Sequence, residues 1–225
     1  MKTPLLAAVL ALATLAAQAD VLDFGSGPAV PSICTVNGDG IGPLTACTDY
    51  AKLSQSYGDI PGVLDVQYSQ PLATTASTLN WWSTSYNTLY GVLWADGGDG
   101  PSSYGRIDLV PLAGASGITL TSLDLGAYPS TTRNTELTIF DLGNNQVLYS
   151  YTGSVGTAGG NATTFSLGVS SAAGLRIEWR NTAYNVGIDN IVFQTTAVPE
   201  PASGSMALAG LAVLGAAFLR RRQPR

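Results

Sequence analysis

Short runs in which apolar and polar residues alternate, each bounded by Gly, Asn, Asp or Ser, recur through the middle of this 225-residue chain. Such period-two patterning sends successive side chains to opposite sides of a strand, one side dry and the other wet. Leu175, Ile177 and Trp179 alternate with Arg176, Glu178 and Arg180, and Phe165, Leu167 and Val169 with Thr164, Ser166 and Gly168. Leu137–Phe140 and Val147–Tyr149 flank Gly143-Asn144-Asn145, the signature of a hairpin with a short turn. Further strands are expected at Asp20–Phe24, Val63–Tyr68, Thr78–Trp82, Tyr90–Trp94, Arg106–Val110, Thr119–Leu125 and Gly187–Gln194. Helical periodicity is confined to one or two turns at Tyr50–Ser56. These short strands predict an all-β body over residues 20–197, an antiparallel two-sheet sandwich with jelly-roll-like pairing. A body of that length suits one domain burying roughly 70% of its unfolded surface.

Composition excludes whole function classes. The chain has no histidine, which removes Ser-His-Asp, Cys-His and His-metal chemistry together. Within residues 20–197 five basic residues (Lys52, Arg106, Arg133, Arg176, Arg180) face fourteen acidic ones, a net charge of −9 that opposes binding to nucleic acid.

The two ends carry a different pattern. Residues 1–19 place Lys2 before an apolar run from Leu5 to Ala17, and Ala17-Gln18-Ala19 is a small-x-small cleavage site, so this segment reads as a signal peptide. Residues 198–225 begin with Val198-Pro199-Glu200-Pro201, continue through 18 uncharged residues from Ala202 to Leu219, and end with Arg220, Arg221, Arg222 and Arg225. As a helix the uncharged stretch extends roughly 27 Å, a marginal single transmembrane span. The arginine cluster stays cytoplasmic by the positive-inside rule, which leaves the body on the far side. Two prolines hold the segment before the span extended, in a form a processing enzyme can thread.

This order of Pro199-Glu200-Pro201, short span and arginine cluster resembles the PEP-CTERM sorting signal of Gram-negative bacteria. The resemblance implies an exosortase as partner, a transient stay in the inner membrane, cleavage near the motif, and a final place on the outer surface or outside the cell. It also implies a host that makes exopolysaccharide or biofilm matrix. Asn185–Phe193 resembles the last strand of jelly-roll surface modules, and Val21-Leu22-Asp23-Phe24 their first.

Several side-chain groups are candidate sites. Cys34 and Cys47 in an exported chain form a disulfide most simply, a reactive thiol being the alternative. Asp23 and Asp189, on first and last strands, would share Ca²⁺ if those strands are neighbours; a turn-capping role for Asp189 is the bland reading. Asn37-Gly38-Asp39-Gly40 and Asp96–Gly100 lack the EF-hand glutamate and read as turns. Trp81, Trp82, Trp94, Tyr86, Tyr90, Tyr104 and Tyr184 are candidates for stacking on sugar rings. Of the adjacent tryptophans, one must face the core and the other away. Glu136 and Glu178, the body's two glutamates, have no local spacing that pairs them for glycoside chemistry. Asn161-Ala162-Thr163 matches a glycosylation acceptor, uninformative behind a bacterial tail. The leading expectation is a noncatalytic exported surface or matrix protein that binds polysaccharide. The alternative is an extracellular hydrolase or lyase working with carboxylates.

Overall fold

A computed structural model describes residues 19–198 apart from 26, 28 and 71–76. Residues 1–18 of the expected signal peptide and, beyond Val198, the motif, span and arginine cluster lie outside the described residues, while Ala19 opens the first strand. No helix among the described residues is long and apolar enough to cross a membrane.

The body is all-β. Its strands are β1 (Ala19–Leu22), β2 (Cys34–Thr35), β3 (Leu44–Thr45), β4 (Lys52–Leu53), β5 (Leu64–Ser69), β6 (Asn80–Trp82) and β7 (Val92–Trp94), followed by β8 (Gly100–Pro111), β9 (Ala115–Ala127), β10 (Arg133–Asp141), β11 (Val147–Val155), β12 (Thr163–Ser171), β13 (Leu175–Asn181) and β14 (Val186–Ala197). They form two antiparallel sheets. One has nine strands in the order β12-β9-β14-β7-β6-β4-β2-β3, with β1 also paired to β14; the other has five, β11-β10-β13-β8-β5. The expected hairpin is β10–β11, with Ile139 opposite Tyr149.

Between the sheets lies one core. Leu137 and Ile139 of β10 and Ile177 and Trp179 of β13 meet Leu120, Leu123 and Leu125 of β9 and Ile188 and Phe193 of β14. Trp179 is fully buried and donates its indole N–H to the Val186 carbonyl at 2.9 Å. It lies opposite Gly105, where an added Cβ would stand 2.5 Å from the indole ring, so only glycine leaves room there. Asn190, at φ 52°, sits in the break of register between Asp189 and Val192. There β14 exchanges β7 for β1 as its neighbour, and asparagine is among the few side chains that accept that backbone.

One expectation is corrected. Tyr50–Ser56 forms no helical turn; Lys52 and Leu53 are β4 within turns. Its neighbours decide this: Leu53 N–H donates to the Leu79 carbonyl at 3.1 Å and Trp81 N–H to the Ala51 carbonyl at 2.8 Å, so sheet pairing overrides a weak local pattern. The strands that period-two reading missed, β2, β3 and β4, are two residues each, too short to show alternation.

Candidate functional site

The adjacent tryptophans of β6 split as strand geometry requires. Trp81 is buried in the core and donates its indole N–H to the Phe24 carbonyl at 2.8 Å. Trp82 therefore points away from the core. On β7, Leu93 faces inward, leaving Val92 and Trp94 outward, and the register sets Asn80 opposite Trp94 and Trp82 opposite Val92. Four segments bring further rings to this outward face: Tyr50 before β4, Tyr86 between β6 and β7, Tyr128 after β9, and Tyr184 with Asn185 between β13 and β14. Together with Trp82 and Trp94 they line a cavity of about 170 Å³. That is smaller than a drug-sized pocket and suits one ring-sized group.

The rings hold each other mostly edge to face. Tyr50 meets Trp82 at 4.9 Å between centroids and Trp94 at 5.6 Å, while Tyr184 meets Trp94 at 5.0 Å. Trp82 and Tyr128 are 5.8 Å apart, and Tyr128 and Tyr86 5.4 Å. Such contacts stabilise beyond area burial, and they fix the rings before a ligand arrives. Trp94 and Tyr86 are buried; Tyr50 (60% exposed) and Tyr184 (38% exposed) stand at the rim. Burial, then the neighbouring tyrosines, pushes the Tyr86 hydroxyl far above its ordinary range, so it stays a neutral donor, to the Tyr184 carbonyl at 3.1 Å. Polar groups border the site. Asn185 Nδ2 donates to Asp99 Oδ1 at 2.8 Å, Arg133 Nη1 pairs with Asp99 Oδ2 at 3.2 Å, and Arg133 Nε donates to the Tyr128 carbonyl at 3.0 Å.

Three buried side-chain polar atoms among the described residues lack a hydrogen-bond partner: Trp94 Nε1, Asn80 Nδ2 and Thr78 Oγ1. Each such group costs about 1–3 kcal/mol when left unmade. All three belong to β6, β7 or the residues leading into β6. Of the three, Trp94 Nε1 belongs to a residue that lines the cavity. Among the described residues no carboxylate lines the cavity itself. Its chemistry is stacking and hydrogen bonding.

The remaining sequence candidates fall elsewhere. Tyr90 is exposed outside the cavity, and Tyr104 lies on the other sheet with the guanidinium carbons of Arg106 and Arg180 at 4.4 and 5.1 Å from its ring centre. Tyr50, Tyr128 and Asn185 line the site but escaped the sequence reading. Their signal is weak: aromatics in turns at strand ends, Tyr128 just before Pro129 and Tyr184 just before Asn185.

Glu136 lies opposite Arg180 and Glu178 opposite Thr138 across β10 and β13, so the two glutamates are diagonal neighbours on the outward face of the five-stranded sheet. Glu178 is buried, and its two oxygens accept from Arg106 and Arg180. Next to it Arg176 forks onto Asp108 with contacts of 2.8 and 2.7 Å.

Asp23 follows directly on β1, which pairs with β14, the strand that bears Asp189. Asp189 Oδ1 accepts from Phe24 N–H at 3.0 Å and Asp23 Oδ1 from Gly25 N–H at 2.8 Å. Desolvation pushes the Asp189 carboxyl up to about 8 against the opposing amide bonds, with the charges of Asp23 and Asp124 adding to the rise. Among the described residues no group of three His, Cys, Asp or Glu side chains is placed to hold a metal ion.

Cys34 and Cys47 are disulfide-bonded, with Cα atoms 5.1 Å apart. Closing this loop is worth about 3 kcal/mol. Inside it Ile41 N–H donates to Asp39 Oδ1 at 3.0 Å, the turn chemistry expected of that segment.

Residues 197–222 match the PEP-CTERM protein-sorting motif, through Pro199, Glu200 and Pro201 and on to Arg220, Arg221 and Arg222. The motif marks an exported protein, recognised and processed by an exosortase after transient membrane anchoring. No curated protein matches the chain. Among solved structures the chain is similar to one described as "CBM4 structure and function", at 14% identity and TM-score 0.31, covering 64% of this chain and 90% of that one. It is similar to the Podospora anserina GH26-CBM35 β-(1,4)-mannanase at 16% identity and TM-score 0.32, covering 63% of this chain and 29% of the enzyme. It is also similar to an arabinose-bound MgGH51 α-L-arabinofuranosidase at 12% identity and TM-score 0.38, covering 79% of this chain and 31% of the enzyme. The chain thus spans less than a third of either enzyme, and scores of this size carry no assignment.

Proposed function

We propose that this protein is a noncatalytic component of the outer surface or extracellular matrix, whose body binds polysaccharide through the aromatic cavity on the nine-stranded sheet. One observation carries the reading: six aromatic rings from six segments converge on a single ring-sized cavity with a polar rim and an unpartnered indole N–H. Aromatic faces stack on the C–H faces of pyranose rings, and planar amide and carboxylate groups bond to their hydroxyls. Sugars need both. On the same footing we read the order β12-β9-β14-β1 opposite β11-β10-β13-β8 as a jelly roll, extended at its edges by β2–β7.

Affinity electrophoresis in gels containing the host's own exopolysaccharide tests the binding. The wild-type chain should be retarded and the Tyr50→Ala/Tyr184→Ala variant should run free, since both rings stand at the rim and contribute little to the core. Equal retardation would overturn the proposal. Sorting is tested separately: a chain lacking Pro199–Pro201 should accumulate at full length in the membrane, and normal processing of it would contradict exosortase recognition. A hydrolase or lyase reading would need Glu178 free to exchange protons. Turnover of the exopolysaccharide that disappears in Glu178→Gln would favour that alternative.

A further inference from the structure

We infer that the aromatic cavity continues beneath the Lys52–Asp96 ion pair into a second subsite, where Trp94 Nε1, Asn80 Nδ2 and Thr78 Oγ1 bond to hydroxyl or ring oxygens of the next sugar in the chain. This rests on the reading of the cavity as a glycan site.

Strand order and register place the parts. β4, β6 and β7 are consecutive neighbours, and Lys52, Asn80 and Trp94 lie directly opposite one another across them. They share the outward face, because Leu79, Trp81 and Leu93 take the inward one. Thr78 lies two residues before Asn80 in the segment leading into β6, and its side chain packs close to Gly40. Trp94 also lines the cavity, so the row of unpartnered atoms starts at its wall.

Lys52 Nζ on β4 reaches Asp96 Oδ2, two residues past β7, at 3.2 Å, and β6 runs between those two strands. The pair therefore spans Asn80. Side-chain exposures of 21% for Lys52 and 51% for Asp96 make this a surface pair, which contributes little in water and is weakened by salt. Buried donors without acceptors are the costlier feature. Opening the pair to admit acceptor oxygens relieves the larger penalty at the expense of the smaller contact.

The backbone around the row is already satisfied. Gln70 donates to the Thr78 carbonyl at 2.8 Å and accepts from Asp96 N–H at 2.6 Å, so the missing partners belong to side chains alone. Two N–H donors and one hydroxyl fit uncharged acceptor oxygens. A neutral oligosaccharide suits them, and the body's excess of acidic residues opposes an anionic one.

The test is calorimetric titration of the full-length chain with neutral β-1,4-gluco-, β-1,3-gluco- and β-1,4-manno-oligosaccharides of one to six residues. For the ladder that binds, affinity should rise about five-fold or more when a residue is added beyond the first one held. Asn80→Leu should collapse that long-to-short ratio and at the same time raise Tm, because the apolar replacement needs no partner. Lys52→Met/Asp96→Asn, two changes at a surface ion pair compatible with folding, should strengthen long-chain binding several-fold and make it insensitive to 0.5 M salt. A ratio unchanged in both variants would overturn the second subsite while leaving the cavity reading intact. Binding of none of these ladders, nor of the exopolysaccharide, by any variant would overturn both.

Discussion

The two sheets turn contrasting faces outward. On the five-stranded sheet the polar groups form a closed ladder: Arg176 with Asp108, Glu178 between Arg106 and Arg180, and Tyr104 against two guanidinium groups. On the nine-stranded sheet Trp94 Nε1, Asn80 Nδ2 and Thr78 Oγ1 have no partners among the described residues, and Trp94 also lines an aromatic cavity. The first face has finished its hydrogen bonding within the chain, and the second has not. Saturation of that kind serves stability, and unmet bonding capacity at a preformed cavity is what the proposed recognition of glycan would use.

The largest expected effect concerns Asp189, the buried carboxyl of the nine-stranded sheet. Its folded pKa of about 8 lies above the ordinary carboxyl value, so the native state binds the extra proton between roughly pH 4 and pH 8. The contribution is fully present below that window and lost as pH rises through it, by about 1.4 kcal/mol per pH unit. Denaturant midpoints should fall across the window in wild type and stay level in Asp189→Asn. If Asp23 and Asp189 share a calcium ion, millimolar Ca²⁺ will flatten the wild-type slope; its persistence speaks against the ion.

Next in size is the ladder. Glu178→Ala strands Arg106 and Arg180 and should cost about 3 kcal/mol, read as a lower urea midpoint, with glycan affinity unchanged. An equal loss of affinity would erase the distinction between the faces. Reducing the Cys34–Cys47 bridge, or replacing both residues by serine, should cost a similar about 3 kcal/mol by loop entropy. The smallest effect on stability is expected at the cavity rim. Tyr50→Ala/Tyr184→Ala should leave the midpoint within about 1 kcal/mol of wild type while weakening glycan binding about ten-fold or more.

The sequence announced long strands more readily than it announced the cavity. Alternation in Leu175–Arg180 reported burial on one side directly, because each residue's face follows from its neighbour's. β14 was readable from Gly187–Gln194, and the bulge at Asn190 was not, since it depends on a change of neighbouring strand. The cavity gathers rings far apart in sequence, from Tyr50 to Tyr184, and three of its tyrosines, Tyr50, Tyr128 and Tyr184, sit in turns where no periodicity speaks for them. That one of Trp81 and Trp82 faces outward was legible from strand geometry; which of the pair it is depended on the core around Trp81. The Lys52–Asp96 pair arises from register alone.

The most direct measurement uses the four tryptophans, each with one indole N–H resonance in a ¹H–¹⁵N spectrum. Trp81 and Trp179 donate theirs to carbonyls within the core, whereas Trp82 and Trp94 line the cavity. Titration with a bound oligosaccharide should move the Trp82 and Trp94 signals and leave those of Trp81 and Trp179 in place. Saturable binding that leaves Trp82 and Trp94 unmoved would contradict the account.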